Sequence, residues 1–196
     1  MKRPFAAILM GMLCAIFVAG SAYSATLSVQ PSASTVSVGQ NFALNVEVSG
    51  VTDLYGFQFD IAFDPAILSV ASVIEGSFLS TAGTTFFFEG FIDNPGGSVS
   101  FVIDSLIGAI PGANGTGGLA TINFTSLSIG SSSINIANVI LLDSNLVDIS
   151  SELVGGLVTV AGAAPVPGPV VGAGLPGVVM ALGGMLAWRR RRMVVV

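Results

Sequence analysis

The 136 residues from Ala25 to Val160 contain no lysine, arginine, histidine, cysteine or tryptophan. All six cations lie outside that segment, Lys2 and Arg3 before it and Arg189 to Arg192 after it, while the eleven acids all fall between Glu47 and Glu152. A segment of charge −11 with no cation cannot neutralise phosphates by releasing counterions, so nucleic-acid and nucleotide binding are excluded. Without imidazole, amine, guanidinium or thiol it also lacks the usual general bases, Schiff-base lysines, nucleophilic cysteines and Cys/His zinc ligands. Carboxylates, hydroxyls, amides and backbone remain. A mature domain without cysteine has no disulfide framework and must stand on its apolar core. At this length it is one domain.

The two ends read as addresses. Residues 1–24 have a basic start (Lys2, Arg3), an apolar run from Phe5 to Ala19 and small residues through Ser24, the layout of a secretory signal peptide. The small-x-small site Ala22-Tyr23-Ser24 favours cleavage before Ala25, with cleavage after Ala22 as the alternative. At the other end, residues 170–188 run from Val170 to Trp188 without a charge, long enough to be expected as a transmembrane helix. Residues 189–196 begin with Arg189, Arg190, Arg191 and Arg192, the cationic stop of a cytoplasmic tail. Residues 161–169 form a Pro/Gly/Ala linker ending in Val166-Pro167-Gly168-Pro169.

This short proline motif, hydrophobic segment and arginine cluster together resemble the PEP-CTERM sorting signals handled by exosortases in bacteria that make extracellular polysaccharide. The family pattern is Val-Pro-Glu-Pro, and Gly168 stands here in place of the acid. The resemblance implies export, a transient anchor in the inner membrane, processing by an exosortase-type enzyme, and release or attachment at the cell surface.

Between these ends the hydrophobic period is two, punctuated by glycine, proline, serine and asparagine, which predicts an all-β sandwich. Phe42, Leu44, Val46 and Val48 alternate with polar or small residues; Tyr55, Phe57, Phe59, Ile61 and Phe63 do the same until Asp64-Pro65 predicts a turn. Similar runs open at Thr26 and recur at 68–73, 85–92, 98–103, 118–127, 132–141 and 153–160, giving about nine strands. Asp93-Asn94-Pro95-Gly96-Gly97 predicts a hairpin connection, and the glycine-rich 108–118 segment a mobile surface loop.

The run Val51-Thr52-Asp53-Leu54-Tyr55-Gly56-Phe57-Gln58-Phe59-Asp60-Ile61-Ala62-Phe63-Asp64-Pro65, continued to Val70 and followed by Glu75-Gly76-Ser77-Phe78-Leu79, resembles the early strands of a cohesin module. Gly117 to Phe124 and Val139 to Asp143 resemble its later ones. The resemblance implies a nine-stranded jelly-roll sandwich related to carbohydrate-binding modules, with a dockerin-like protein as partner. Partner contacts would then fall on the outward side of the Tyr55 to Phe63 strand, occupied here by Gly56, Gln58, Asp60 and Ala62. Asp104 and Ser105 resemble the acidic end of another strand on that face. Such an acidic face would favour a basic partner and salt-sensitive association. The competing reading is that these are merely solvated positions of an antiparallel sheet.

Binding an extracellular polysaccharide would need an exposed aromatic platform. Tyr55 is in register with core phenylalanines, and Phe86-Phe87-Phe88 must place at least one ring on each face, with Phe87 either exposed or covered by a loop. A carbohydrate-binding module and a structural matrix protein without a discrete ligand stand as alternatives to the protein receptor. No carboxylate pair marks a glycosidase, and no catalytic residue, cofactor or metal ligand is assigned. The acidic stretch Asp143 to Asp148 lacks the glycine and terminal glutamate of an EF-hand; an irregular calcium site there is the alternative to ordinary Asx turns.

Overall fold

The computed structural model describes residues 24–162 and 175–192, and the chain divides after Ala161 into two units. The first is all β. Its strands are β1 (Ala25–Pro31), β2 (Thr35–Ser37), β3 (Asn41–Ala62), β4 (Leu68–Glu75), β5 (Thr85–Phe88), β6 (Phe91–Asp93), β7 (Ser98–Leu106), β8 (Ala113–Ser126), β9 (Gly130–Asp143), β10 (Ser151–Val154) and β11 (Gly156–Ala161). A single 3-10 turn, Leu79–Thr81, lies between β4 and β5.

The expected runs at 42–49 and 55–63 are one strand of 22 residues, β3, shared by both layers of the sandwich. Its first half pairs with β1 and β8, and its second half with β7 and β9. Between them the pairing with β8 slips at Val48, Val51 and Leu54, and Gly50 and Asp53 take positive φ. One layer therefore runs β10-β1-β3-β8-β4, and the other β2-β11-β9-β3-β7, with β5 and β6 both on β7. The 85–92 run breaks at Glu89-Gly90 and the 153–160 run at Gly155, and β2 adds a short strand, so eleven ladder segments stand where nine were expected.

Alternation carries the core. Leu27 and Val29 of β1, Leu44, Val46 and Val48 of β3, and Ile122 and Phe124 of β8 meet Phe57, Phe59 and Ile61 of β3 across the interior. The Phe124 ring stacks on Phe42 (5.6 Å between centroids) and takes the edge of Phe63 (5.3 Å), so truncating it would cost about 3–5 kcal/mol.

Both predicted turns form. Asp64 accepts the Ala66 amide on Oδ1 (2.9 Å) and the Leu68 amide on its carbonyl, while Asp93 Oδ1 accepts the Gly96 amide at 2.9 Å. At Gly97 the backbone has φ +70°, and a Cβ there would run into the Phe63 carbonyl oxygen. Asn94 takes the place of a missing strand neighbour, accepting the Val70 amide at 2.7 Å and donating to the Val70 carbonyl at 3.0 Å where the β4–β8 ladder slips.

The 108–118 segment is only partly loop. From Ala113 onward it belongs to β8, because Asp53 binds it: Asp53 Oδ1 accepts the Gly112 amide at 2.6 Å, and the Asp53 amide donates to Asn114 Oδ1 at 2.9 Å. Asp53 Oδ2 also accepts the Ser144 hydroxyl (2.6 Å) and, more weakly, its amide (3.3 Å), so one carboxylate ties β3 to two loops. These hydrogen bonds, the Ser144 hydroxyl first, hold its pKa below the ordinary carboxylate value.

In the second unit, α1 spans Leu175–Arg192, so the four arginines close the helix. Among the described residues no helix is long and apolar enough to cross a membrane, so the expected 170–188 transmembrane helix, described only from residue 175, finds no support there. Residues 1–23 of the expected 1–24 signal peptide, the expected sorting motif Val166 to Pro169 and the first residues of the expected span lie outside the described residues.

Candidate functional site: the outward face of β5, β7, β3 and β9

Strand pairing lays out this face as rows of opposed residues, which share a side of the sheet. One outward row reads Leu142, Gly56, Ser105, Phe86; the next reads Ile140, Gln58, Ile103, Phe88. Gly56 lets β7 approach closely, since a Cβ there would sit 3.3 Å from the Asp104 carbonyl oxygen and from Ser105 Cβ. The result is a shallow depression of about 180 Å³ lined by Gly56, Gln58, Ile103, Ser105, Ile140 and Leu142. Phe86 (62% exposed), Phe101 (49%) and Ile140 (42%) stand out of this sheet, and Phe91 (65%) lies on β6, its ring 5.3 Å edge-on from Phe88.

Two bulges set which residues face outward. Between Val102 and Val99, β7 holds one residue more than β3, and between Ile140 and Ala137 β9 does the same. Both insertions sit beside Asp60. Phe101 has φ +59° and Asn138 φ +49°, the left-handed region that a bulky side chain rarely takes. Asp60 Oδ1 accepts the Phe101 amide at 2.7 Å, and Oδ2 accepts the Asn138 side-chain amide at 2.6 Å. One carboxylate clamps a bulge on each neighbour.

The β7 bulge reverses the alternation beyond it. Val99 points inward before it and Val102, Asp104 and Leu106 after it, leaving Phe101, Ile103 and Ser105 outside. Asp104, expected on the partner face, is therefore in the interior at 1% exposure. It lies in an inward row with Phe57 on one side and Phe87 on the other. Neither carboxylate oxygen has a hydrogen-bond partner. Burial, and secondly the charge of Glu75 on β4, push its pKa up to about 7, against a small opposing effect of the Ser105 amide.

Of the six expected contact residues, Gly56, Gln58, Ser105 and, although its side chain is buried, Asp104 line the depression. Asp60 and Ala62 lie further along the same side, Ala62 exposed and Asp60 occupied by its two bulges. The expected acidic surface is corrected at Asp104, whose side chain is buried, which leaves Asp60 as the carboxylate of a largely apolar face. Phe87 is the inward ring of the Phe86–Phe88 triplet, packed against the core. Tyr55 is half-buried and donates its hydroxyl to the Gly108 carbonyl. Sequence reasoning missed Phe86, Phe101, Ile103, Ile140 and Leu142; the Phe triplet carried a signal for the first, while the others depend on the bulges.

At the acidic loop, Asp143 Oδ1 accepts the amides of Asn145 (2.8 Å) and Val147 (2.9 Å), an Asx turn. Among the described residues no group of three or more histidines, cysteines or acids is placed to hold a metal ion.

Residues 27–160 match the cohesin domain family. No curated protein matches the chain. Among solved structures it is similar to a type II cohesin domain from the cellulosome of Acetivibrio cellulolyticus, at 18% identity and TM-score 0.58, over 69% of this chain and 95% of that one. It is similar also to a non-cellulosomal cohesin of the archaeon Archaeoglobus fulgidus, at 13% identity and TM-score 0.55, over 70% and 91% of the two chains. A third is the sixth cohesin of scaffoldin B from Acetivibrio cellulolyticus, solved in complex with a Cel5 dockerin, at 17% identity and TM-score 0.57, over 70% and 99%. With the family matched over most of its length and the same sandwich in its structural neighbours, the chain belongs to the cohesin domain family, whose members are non-catalytic binding modules.

Proposed function

We propose that this chain is an exported cohesin module that holds a dockerin-like protein partner on the outward face of β5, β7, β3 and β9. The observation that carries the reading is the grouping on that face of exposed Phe86, Phe101 and Ile140 around a shallow floor of Gly56, Gln58, Ile103 and Ser105, whereas exposed apolar residues elsewhere, such as Ile74, Ile129 and Leu157, are aliphatic and lie on different strands and turns. Contiguous exposed apolar surface on a soluble domain marks an interaction site. An apolar, nearly flat surface of this kind fits the side of an amphipathic helix. The Arg189–Arg192 cluster and the Val166–Pro169 motif support a further part of the proposal, an exosortase-type tail that keeps the module at the inner membrane before its transfer to the cell surface.

The test is capture from the producing cell's secreted proteins with the immobilised full chain, run beside the Phe86→Asp chain. A protein retained by the first and lost by the second supports the reading. Retention of both chains on insoluble polysaccharide, with no protein captured, would move the function to carbohydrate binding.

A further inference from the structure

Asp104 has no role on the face for which it was a candidate, and it sits directly behind it. It is the one carboxylate among the described residues that is both buried and without a partner. Its row on the inner side runs Leu141, Phe57, Asp104, Phe87, a charged group in an otherwise apolar line. No cation can reach it from within, because Ala25 to Val160 contains none. Of the elements around it, β4 contributes Glu75, whose Oε1 accepts the Thr85 hydroxyl at the start of β5. Strands β5 and β8 and the 3-10 turn carry no titratable side chain. On β3, Asp53 and Asp60 are committed to the loops and the bulges, Tyr55 to the Gly108 carbonyl, and Glu47 pairs with Ser28 of β1 at the other end of the strand. On β9, Asp143 closes its own turn.

The interior thus holds an acid that only a proton can neutralise, and the strand flanking it on one side is a short edge strand. β5 is four residues long and is hydrogen-bonded to β7 alone. It carries Phe87 on its inner side, beside Asp104, and Phe86 on its outer side, on the proposed partner face. We propose that Asp104 is a proton-operated latch: protonated, it lets β5 close over it, and ionised, it drives β5 to lift so that water reaches the carboxylate. Rising pH then loosens the Phe86 edge of the face, and falling pH fixes it. The link to partner binding rests on the function proposed above, whereas the opening of β5 does not and is measured without any partner.

Hydrogen exchange of the full chain, followed by mass spectrometry on peptides covering Thr84 to Gly90 and corrected for intrinsic rates, tests the latch. An open state in which Asp104 titrates as an ordinary carboxylate predicts that protection of β5 falls about tenfold per pH unit between roughly pH 5 and 6.5 and levels off above 7. Asp104→Asn should give protection independent of pH. Glu75→Gln should keep the fall but end it at lower pH, because one neighbouring negative charge is gone; a merely structural role for Glu75 would not move the end point. Protection in the wild type that is flat with pH, or a fall that persists in Asp104→Asn, overturns the proposal. So does restoration of protection at pH 8 by millimolar calcium chloride, which would make the site a cation site instead.

Discussion

Replacing Asp60 by alanine removes both acceptors that hold the bulges of β7 and β9. Each is a charge-assisted hydrogen bond, but both lie at exposed positions, so about 1.5 kcal/mol apiece is the appropriate scale, or about 3 kcal/mol in total. For a domain of this size that is a fall in melting temperature on the order of 10 °C. Asp60→Asn should cost less than half as much, since its remaining oxygen still accepts the Phe101 amide and Asn138 can turn its own oxygen toward the new amide. Asn138→Gly supplies the internal check. In the wild type it trades a hydrogen bond for relief of a left-handed backbone and should be near neutral. Once Asp60 is alanine only the relief remains, and it should stabilise by about 1 kcal/mol. The two substitutions should therefore couple by about 1.5 kcal/mol in a double-mutant cycle read by circular-dichroism melting of the full chain. Additivity within 0.3 kcal/mol, or equal losses for Asp60→Ala and Asp60→Asn, would refute the clamp, because a carboxylate that merely faces solvent makes no distinction among these variants.

Three further outcomes follow from other sites. Because the folded pKa of Asp104 is raised to about 7, its contribution destabilises progressively as pH rises from the ordinary carboxylate value; relative to Asp104→Asn, the wild type should lose up to about 4 kcal/mol between pH 4 and 8 in urea unfolding, and a constant difference would remove Asp104 as the cause. Asp53 works in the opposite direction, its depressed pKa giving stability that is present above the unfolded value and lost as pH falls. Asp53→Ala should cost about 2 kcal/mol at pH 7 and much less at pH 2, with exchange rising in the 108–114 and 143–148 loops together. Phe86→Asp should leave the melting temperature within about 2 °C, as the ring is exposed, yet weaken partner capture more than tenfold.

The sandwich was readable because its signal is periodic and redundant. In β3 the residues Phe42, Leu44, Val46, Val48, Phe57, Phe59 and Ile61 all report the same inner face, and an error at one of them would not have changed the fold. The joining of two expected strands into β3 was not readable, because Gly50 and Asp53 look like turn residues and do take positive φ, yet here they bend a continuous ladder instead of ending it. What decides between the two outcomes is β8, which pairs on both sides of the bend through Gly115 and Ala113, fifty or more residues away. The same distance hid the ordering of the glycine-rich segment by Asp53.

The site was legible up to its first bulge and no further. A strand's pattern assigns faces by parity, so a single inserted residue exchanges inside and outside for everything beyond it. Gly56, Gln58 and Ala62 lie on the strand without an insertion of its own, and their side was inferred from it directly. Asp104 lies three residues past the insertion in β7, and parity counted from Val99 puts it outside when it is inside. The choice between Ile103 and Asp104 for the interior is unfavourable by composition alone, since it buries an acid and exposes an isoleucine. It is enforced from the neighbouring strand, where Asp60 needs the Phe101 amide and the Asn138 side chain at its two oxygens. The bulge that keeps isoleucine on the proposed partner face is thus the same feature that buries Asp104, and what matters is the extra residue rather than its count alone: a chain with Phe101 deleted should keep Asp104 inside and Ile103 and Ser105 outside, since Asp104 then lies four residues from Val99, whereas pairing β7 regularly with Phe101 retained would turn Asp104 outward and Ile103 inward.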